Sequence, residues 1–358
     1  MNPLLQIRAL GQQVWLDSLS RSLLNDGHLA RFIAGDGVAG ITTNPAIFQK
    51  AIADGRYYGD DLALLRREPL TAEGRYERLA IADVRRACDL LYPLYEQSRG
   101  EAGYVSLEVS PALAHDAEGT AAAGRRLHAE TGRANLLIKV PATAAGLVAV
   151  EHLIGAGINV NVTLLFSLAH ADAAADAYLR GLERLRAAGG DPGRAMSVAS
   201  LFLSRVDTLV DARLEARGGA AAALRGQAAT AMARRAYQRY LDRFHGPAFA
   251  SLRAAGARPQ YLLWASTGAK NPAYSDLLYV EPLIGPETIT TLPEATLAAL
   301  RDHGRVENTL AAAPDAANAT LAALAGHGID MDEIGEVLQA DGLRQFDQAF
   351  AKVLELTA

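Results

Sequence analysis

The chain has 358 residues, 50% of them apolar and 21% charged, a composition that predicts a packed core. Its net charge is −5 with no basic block, which argues against an electrostatic nucleic-acid binder. The single cysteine, Cys88, excludes an intrachain disulfide and any zinc site resting on thiolates.

The opening stretch MNPLLQIRALGQQ has no basic region leading into a long apolar run, so it does not read as a secretory signal. No apolar stretch approaches ~20 residues, so no membrane span is expected. The expectation is a soluble cytoplasmic protein. In chain order, the strand candidates are 13–18 (QVWLDS), 37–43 (GVAGITT), 104–109 (YVSLEV) and 136–140 (LLIKV). After them come 158–165 (INVNVTLL), 196–202 (MSVASLF), 260–266 (QYLLWAS) and 277–281 (LLYVE). Each is followed by helical spacing, as in 143–154 and 168–188. Eight alternations of β and α predict parallel strands with crossover helices. The expected fold class is α/β, a (β/α)8 TIM barrel with additional helices, and a doubly wound open sheet is the alternative. A plain barrel needs roughly 250 residues. The surplus fits extra helices at the N-terminus, in 55–98, in 207–254 and in the tail 331–356. No linker divides the chain, so one domain is expected.

Two kinds of motif lead nowhere. GDGVAG at 35–40 matches G-x-G-x-x-G by letter. A helical pattern precedes it and a strand follows, the reverse of a dinucleotide fingerprint. The histidines form no H-E-x-x-H or other ligand pair, so the sequence implies neither a metal nor any other cofactor.

In such a barrel the site lies at the C-terminal ends of the strands. The polar residues placed there are Asp17, Thr42, Thr43, Asn44, Glu108, Lys139, Asn161, Thr163, Ser200, Ser266 and Glu281. A lone Ser, Thr or Asn at a strand end often only caps the next helix. A lysine, a glutamate and an aspartate converging on one mouth is less easily explained that way. Lysine is also scarce: 31 of 35 basic residues are arginine, and the four lysines are Lys50, Lys139, Lys270 and Lys352. Arginine cannot supply a neutral amine. Coding bias accounts for the arginines, yet it makes a lysine inside the apolar run LLIKV more telling.

The chemistry that suits this set is amine catalysis, with an iminium as electron sink for C–C cleavage. Lys139 must lose its proton to attack, and its apolar flank helps by desolvation. Glu108 and Asp17 are candidates for moving protons, one through a water and one directly. Asn44 and Asn161 can hold substrate hydroxyls. Ser266, Lys270 and Arg205 can hold a phosphate near the late strands.

With these residues placed, the sequence resembles the transaldolases, in their longer bacterial form. The segments that carry the resemblance are GITTNPAIFQKAI (40–52), VSLEVSPALAHD (105–116), NLLIKVPAT (135–143), GINVNVTLLFS (157–167), VASLFLSRVD (198–207) and WASTGAKNPAYSD (264–276). The resemblance implies a Schiff-base lysine at Lys139, a water held by Glu108 and Thr163, and Asp17 acting on the hydroxyl at the cleaved bond. It also implies substrate contacts from Asn44, Asn161 and Ser200, and phosphate binding by Arg205. The implied partners are sugar phosphates, with no nucleic acid and no membrane, in a monomer or a homodimer. One position departs from the short form, whose strand-seven motif runs serine, one residue, arginine. Here Gly268 stands in the arginine's place, and Lys270 is the candidate to replace it. The related fructose-6-phosphate aldolases carry glutamine and tyrosine where this chain has Glu108 and Phe202.

Overall fold

The computed structural model describes residues 2–312 and 314–358. Eight strands form a closed barrel in sequence order. They are β1 (Gln12–Asp17), β2 (Gly40–Thr42), β3 (Tyr104–Glu108), β4 (Leu136–Pro141), β5 (Val160–Leu165), β6 (Ser197–Phe202), β7 (Tyr261–Ala265) and β8 (Thr288–Leu292). Every neighbouring pair is parallel, and β8 closes on β1 from Gln12 opposite Thr288 to Leu16 opposite Leu292. The expected (β/α)8 barrel is therefore the fold, and the open sheet is not.

The strands read as near-continuous apolar runs because both faces are covered, one by the barrel interior and one by helices. Every residue of β4, β5 and β6 is buried. Short polar residues just beyond the strands start the helices. Thr143 Oγ1 accepts from Gly146 N at 2.9 Å and opens Ala144–Gly155. Ser167 Oγ accepts from His170 N at 3.1 Å and opens Leu168–Ala187. These caps satisfy first-turn N–H groups and fix where each strand hands over to its helix. At Gly40 a Cβ would lie 2.5 Å from the Trp15 ring, so only glycine lets β2 lie against that fully buried indole.

The expected extra helices form. The segment 55–98 becomes Gly59–Leu65 and Ala72–Gln97, and 207–254 is covered by Ser204–Arg217, Ala228–Phe244 and Ala250–Ala254. The tail is one helix, Met331–Thr357. GDGVAG runs from the last two residues of the helix His28–Asp36 through the turn at 37–39 to the first residue of β2, in the helix-to-strand setting its surroundings predict.

The eighth strand needs correcting. The segment 277–281 is a turn running into a 3-10 turn at Glu281–Leu283. The strand is TITTL, 288–292. Leu277, Tyr279 and Val280 are apolar because they are buried under the loop, not because they pair in the sheet. Glu281 consequently does not line the cavity at the barrel mouth; its Oε1 accepts from Arg305 N at 2.8 Å. No helix among the described residues is long and apolar enough to cross a membrane.

Candidate active site

The register of the barrel brings the charged residues together. Glu108 on β3 pairs with Lys139 on β4, which pairs with Asn161 on β5. Asp17 on β1 pairs with Thr42 on β2. Alternation then aims these side chains into one mouth.

Lys139 is 5% exposed. Its Nζ donates to Thr43 O at 2.5 Å and to Glu108 Oε1 at 3.0 Å. The other Glu108 oxygen accepts from Thr43 Oγ1 at 2.6 Å. A buried amine is tolerable here because acceptors surround it, one of them a carboxylate. Of the other lysines, Lys50 and Lys352 are exposed on outer helices and Lys270 is exposed at the mouth.

Thr42 Oγ1 donates to Asp17 Oδ1 at 2.8 Å, so in its 2.7 Å contact with Thr291 the latter is the donor. Burial pushes the Asp17 carboxyl above its ordinary value, against the pull of Lys139 and the Thr42 hydrogen bond. A carboxyl that holds its proton more readily is suited to exchanging one with a substrate.

One cavity of about 470 Å³ is lined by Asp17, Asn44, Lys139, Thr163, Ser200, Arg205, Ser266 and Lys270. Besides Thr43 and Glu281, two of the residues expected to act on the substrate stand apart from it. Glu108 lies behind Lys139, where a pocket of about 20 Å³ is bounded by Glu108, Lys139 and Thr163. That is room for one water, which needs roughly 10–15 Å³. Thr163 Oγ1 is buried there without a hydrogen-bond partner among the described residues. Asn161 is fully buried, donating to Ser106 Oγ at 3.0 Å and accepting from Ser200 Oγ at 2.7 Å. Its geometry is that of a support for Ser200.

Asn44 meets both readings of a strand-end asparagine. Its Oδ1 accepts from Ile47 N at 3.1 Å and caps Pro45–Asp54, which leaves its amide nitrogen for the cavity. Arg205, in the first turn of Ser204–Arg217, packs its guanidinium 5.7 Å from the Phe202 ring centroid. Burial lowers its pKa, and its Nη1 has no hydrogen-bond partner among the described residues. A buried, unpaired guanidinium edge is a ready anion site. Ser266 holds a left-handed backbone, φ 55°, and its Oγ lies 2.8 Å from Ser204 Oγ.

Sequence reasoning passed over several residues that shape the mouth. Thr291 was hidden by the misplaced eighth strand. Phe346 and Ala349 line the cavity from the helix Met331–Thr357. From the same helix Gln339 Nε2 donates to Ala142 O and Leu164 O, each at 3.1 Å. Nothing local marks a helix as crossing a barrel mouth. The available signal is a pair of glycines inside the helix, Gly335 and Gly342, where a Cβ would lie 2.7 Å from Ser167 and 3.0 Å from Leu164. Among the described residues no three His, Cys, Asp or Glu side chains gather as a metal site.

Fold and site together define a class: a (β/α)8 barrel with a buried lysine–carboxylate pair at the C-terminal mouth, where barrel enzymes keep their chemistry. The family model described as transaldolase/fructose-6-phosphate aldolase matches residues 14–357, and the chain belongs to that family. A transaldolase of Thiobacillus denitrificans is 58% identical over 355 residues, covering 99% of both chains. One from Neisseria gonorrhoeae is 51% identical with 99% of both covered. One from Mycolicibacterium smegmatis is 46% identical, covering 99% of this chain and 97% of its own.

Proposed function

We propose that this protein is a transaldolase working through a Schiff base on Lys139. It moves a dihydroxyacetone unit from a ketose phosphate, sedoheptulose 7-phosphate or fructose 6-phosphate, to an aldose phosphate, glyceraldehyde 3-phosphate or erythrose 4-phosphate. This is the exchange of the pentose phosphate pathway, placed in the cytoplasm where such sugars circulate. The observation that carries the reading is the buried Lys139 amine held by Glu108 at 3.0 Å and Thr43 O, beside a cavity that Asp17 also lines.

The steps follow from these groups. The Lys139 amine, its proton passed to Glu108, adds to the ketone carbon; Glu108 returns that proton to the carbinol hydroxyl, which leaves as water, and an iminium remains. Asp17 takes the proton from the hydroxyl on the far carbon of the bond to be broken. That C–C bond breaks, its electron pair enters the iminium to give an enamine, and the aldose departs as an aldehyde. The enamine attacks the carbonyl carbon of the acceptor, and Asp17 returns the proton to the new alkoxide. A water between Glu108 and Thr163 then hydrolyses the iminium, and Glu108 receives its proton. Asn44 and Ser200 bind substrate hydroxyls, with Asn161 holding Ser200. Arg205, Ser266 and Lys270 bind phosphate. No cofactor takes part in these steps.

The second reading is a Schiff-base aldolase that releases free dihydroxyacetone. Two features favour transfer. Glu108 stands where the resemblance puts glutamine in those aldolases. Phe202, 8% exposed and lining the cavity, brings no hydroxyl to it. The test is borohydride reduction in the presence of fructose 6-phosphate, followed by peptide mapping. The expected adduct is on Lys139, and Lys139→Arg gives none, since arginine cannot form the imine. An adduct elsewhere, or activity of Lys139→Arg near the parent's, overturns the mechanism. Turnover without an acceptor aldose overturns transfer in favour of release.

A further inference from the structure

The connection from β7 to β8 runs from 266 to 287 and holds only the 3-10 turn Glu281–Leu283. A connection this long in a compact barrel needs anchoring, or it carries function. Here it does both, because Lys270 rides on it. Thr267 ties its start to β8, Oγ1 donating to Thr291 O at 2.7 Å, and Glu281 ties its end to Arg305 N; between them the anchoring falls largely on the helix Ser204–Arg217, the one whose first turn carries Arg205.

Three contacts make the link. Ser204 N donates to Ser266 O at 3.1 Å, with the two hydroxyls 2.8 Å apart. Tyr274 OH donates to Asp211 Oδ2 at 2.6 Å. Tyr279 OH donates to Asp207 Oδ2 at 3.0 Å. Asp207 and Asp211 are four residues apart, so they share one helix face, and they are 1% and 8% exposed. Each spends its other oxygen on the start of the helix Ala228–Phe244: Asp207 Oδ1 accepts from Ala229 N in its first turn at 2.8 Å, and Asp211 Oδ1 from Gly226 N just before it at 2.9 Å. The carboxylates are thus fixed from the far side and present one oxygen each to the loop. Gly226 (φ 69°) also fits the Tyr274 ring, since a Cβ there would lie 3.0 Å from its Cζ. Lys270 sits between the Ser266 and Tyr274 anchors, and both it and Arg205 line the large cavity.

We infer that Asp211 and Asp207, through Tyr274 and Tyr279, are positioning residues that set the spacing of Lys270 from Arg205 and so the preference of the site for phosphorylated sugars. The inference rests on the phosphate reading of those two cations given above. In this arrangement one helix defines both halves of an anion clamp. Lys270 is exposed and flexible on its own, and the two Tyr–Asp bonds remove much of the freedom its loop would otherwise have to lose on binding.

The experiment compares kcat/KM for glyceraldehyde 3-phosphate and for glyceraldehyde as acceptors, in the full-length chain and in Tyr274→Phe, Lys270→Ala and the double variant. Tyr274 is only half-buried, and removing its hydroxyl leaves the ring on Gly226, so the fold survives; thermal unfolding of each variant checks this. Tyr274→Phe is expected to lower the phosphorylated-to-unphosphorylated ratio roughly fivefold, the scale of one hydrogen bond. The inhibition constant of inorganic phosphate rises in step. In the Lys270→Ala background the same change has no further effect on the ratio, because the group being positioned is gone. A merely structural tyrosine would lower both acceptors alike and add its effect in the double variant, and that result overturns the inference. If Lys270→Ala leaves the ratio where it was, the phosphate reading itself fails. If Lys270→Ala moves the ratio and Tyr274→Phe does not, the positioning role alone fails.

Discussion

Asp17 shares its cavity with Lys139 and Lys270, and both cations favour its charged form, yet burial outweighs them and raises its pKa. The side chain is therefore tuned at a cost in stability. A carboxyl whose folded-state pKa lies above the unfolded value of 3.8 adds most stability when protonated. That contribution is lost as pH climbs through the raised value, because the folded state then gives up a proton it bound better than the unfolded chain did. At pH values above the unfolded value of 3.8 the group is therefore a burden on stability. Asp17→Asn is expected to lower kcat by roughly 10²- to 10⁴-fold, the range of a lost acid–base group. It is also expected to be at least as stable as the parent at pH 7, with the difference closing near pH 4. Activity assays and urea unfolding at the two pH values check this. A variant that loses activity and is also less stable at pH 7 would mean that Asp17 mainly supports the mouth through Thr42.

At the scale of elements, β4 and β5 carry Lys139 and Thr163, and their ends are tied together by a side chain from elsewhere. Gln339 donates to Ala142 O and Leu164 O at once. Leu164 has a positive φ of 60°, a conformation that costs about 1–3 kcal/mol and persists only where the surroundings hold it. Gln339→Leu leaves two carbonyls without this partner and frees that residue to relax, moving its neighbour Thr163. The expected outcome is a loss of about 2–4 kcal/mol in denaturant unfolding. A drop in kcat of roughly tenfold or more, with a smaller change in KM, should accompany it, because misplacement near the chemistry is costly. A stability loss with kcat intact would confine Gln339 to holding the helix. This contact also shows what the sequence could reveal. Lys139, Glu108, Asp17 and Thr163 were legible because each sits in or beside an apolar strand whose end faces the mouth by rule. Gln339 was not, because its partners lie 197 and 175 residues away and its own helix reads as an ordinary amphipathic tail. The eighth strand was missed for a different reason. Hydropathy favoured LLYVE, whose apolar groups pack under a loop, over TITTL, where Thr288, Thr290 and Thr291 are nonetheless buried. β-branching, not apolarity, was the better guide there. Asn161 was legible as a buried polar group, but only the hydrogen bonds to Ser106 and Ser200 separate a support from a ligand.

Over the whole molecule, the helix Met331–Thr357 does what no strand can: it joins opposite parts of the barrel across the mouth. Its first turns meet the β5 side, where a Cβ on Gly335 would lie 2.7 Å from Ser167. Its middle brings Phe346 and Ala349 to the cavity. Its last turns reach the helix Ala72–Gln97, with Phe350 edge-on to Tyr76 at 5.4 Å between centroids. There Thr357 Oγ1 donates to Ala72 O at 2.9 Å, Arg75 Nη1 to Thr357 O at 3.0 Å and Arg66 Nε to Ala358 O at 2.9 Å. A strap fixed at both ends keeps its middle in place, so the end anchor should matter to the cavity even though it touches no substrate. Removing residues 351–358 takes away the fully buried Val353 and Thr357 and these three hydrogen bonds, while leaving Phe346, Gln339 and all eight strands. The expected loss is about 2–4 kcal/mol of stability, on the scale of burying one aliphatic side chain plus a hydrogen bond. KM for the ketose phosphate should rise several-fold as the wall carried by Phe346 loosens. Denaturant unfolding and steady-state kinetics measure the two separately. Lower stability with KM unmoved would show that the strap is held by Gln339 alone, and that its C-terminal end serves only the helix it packs on.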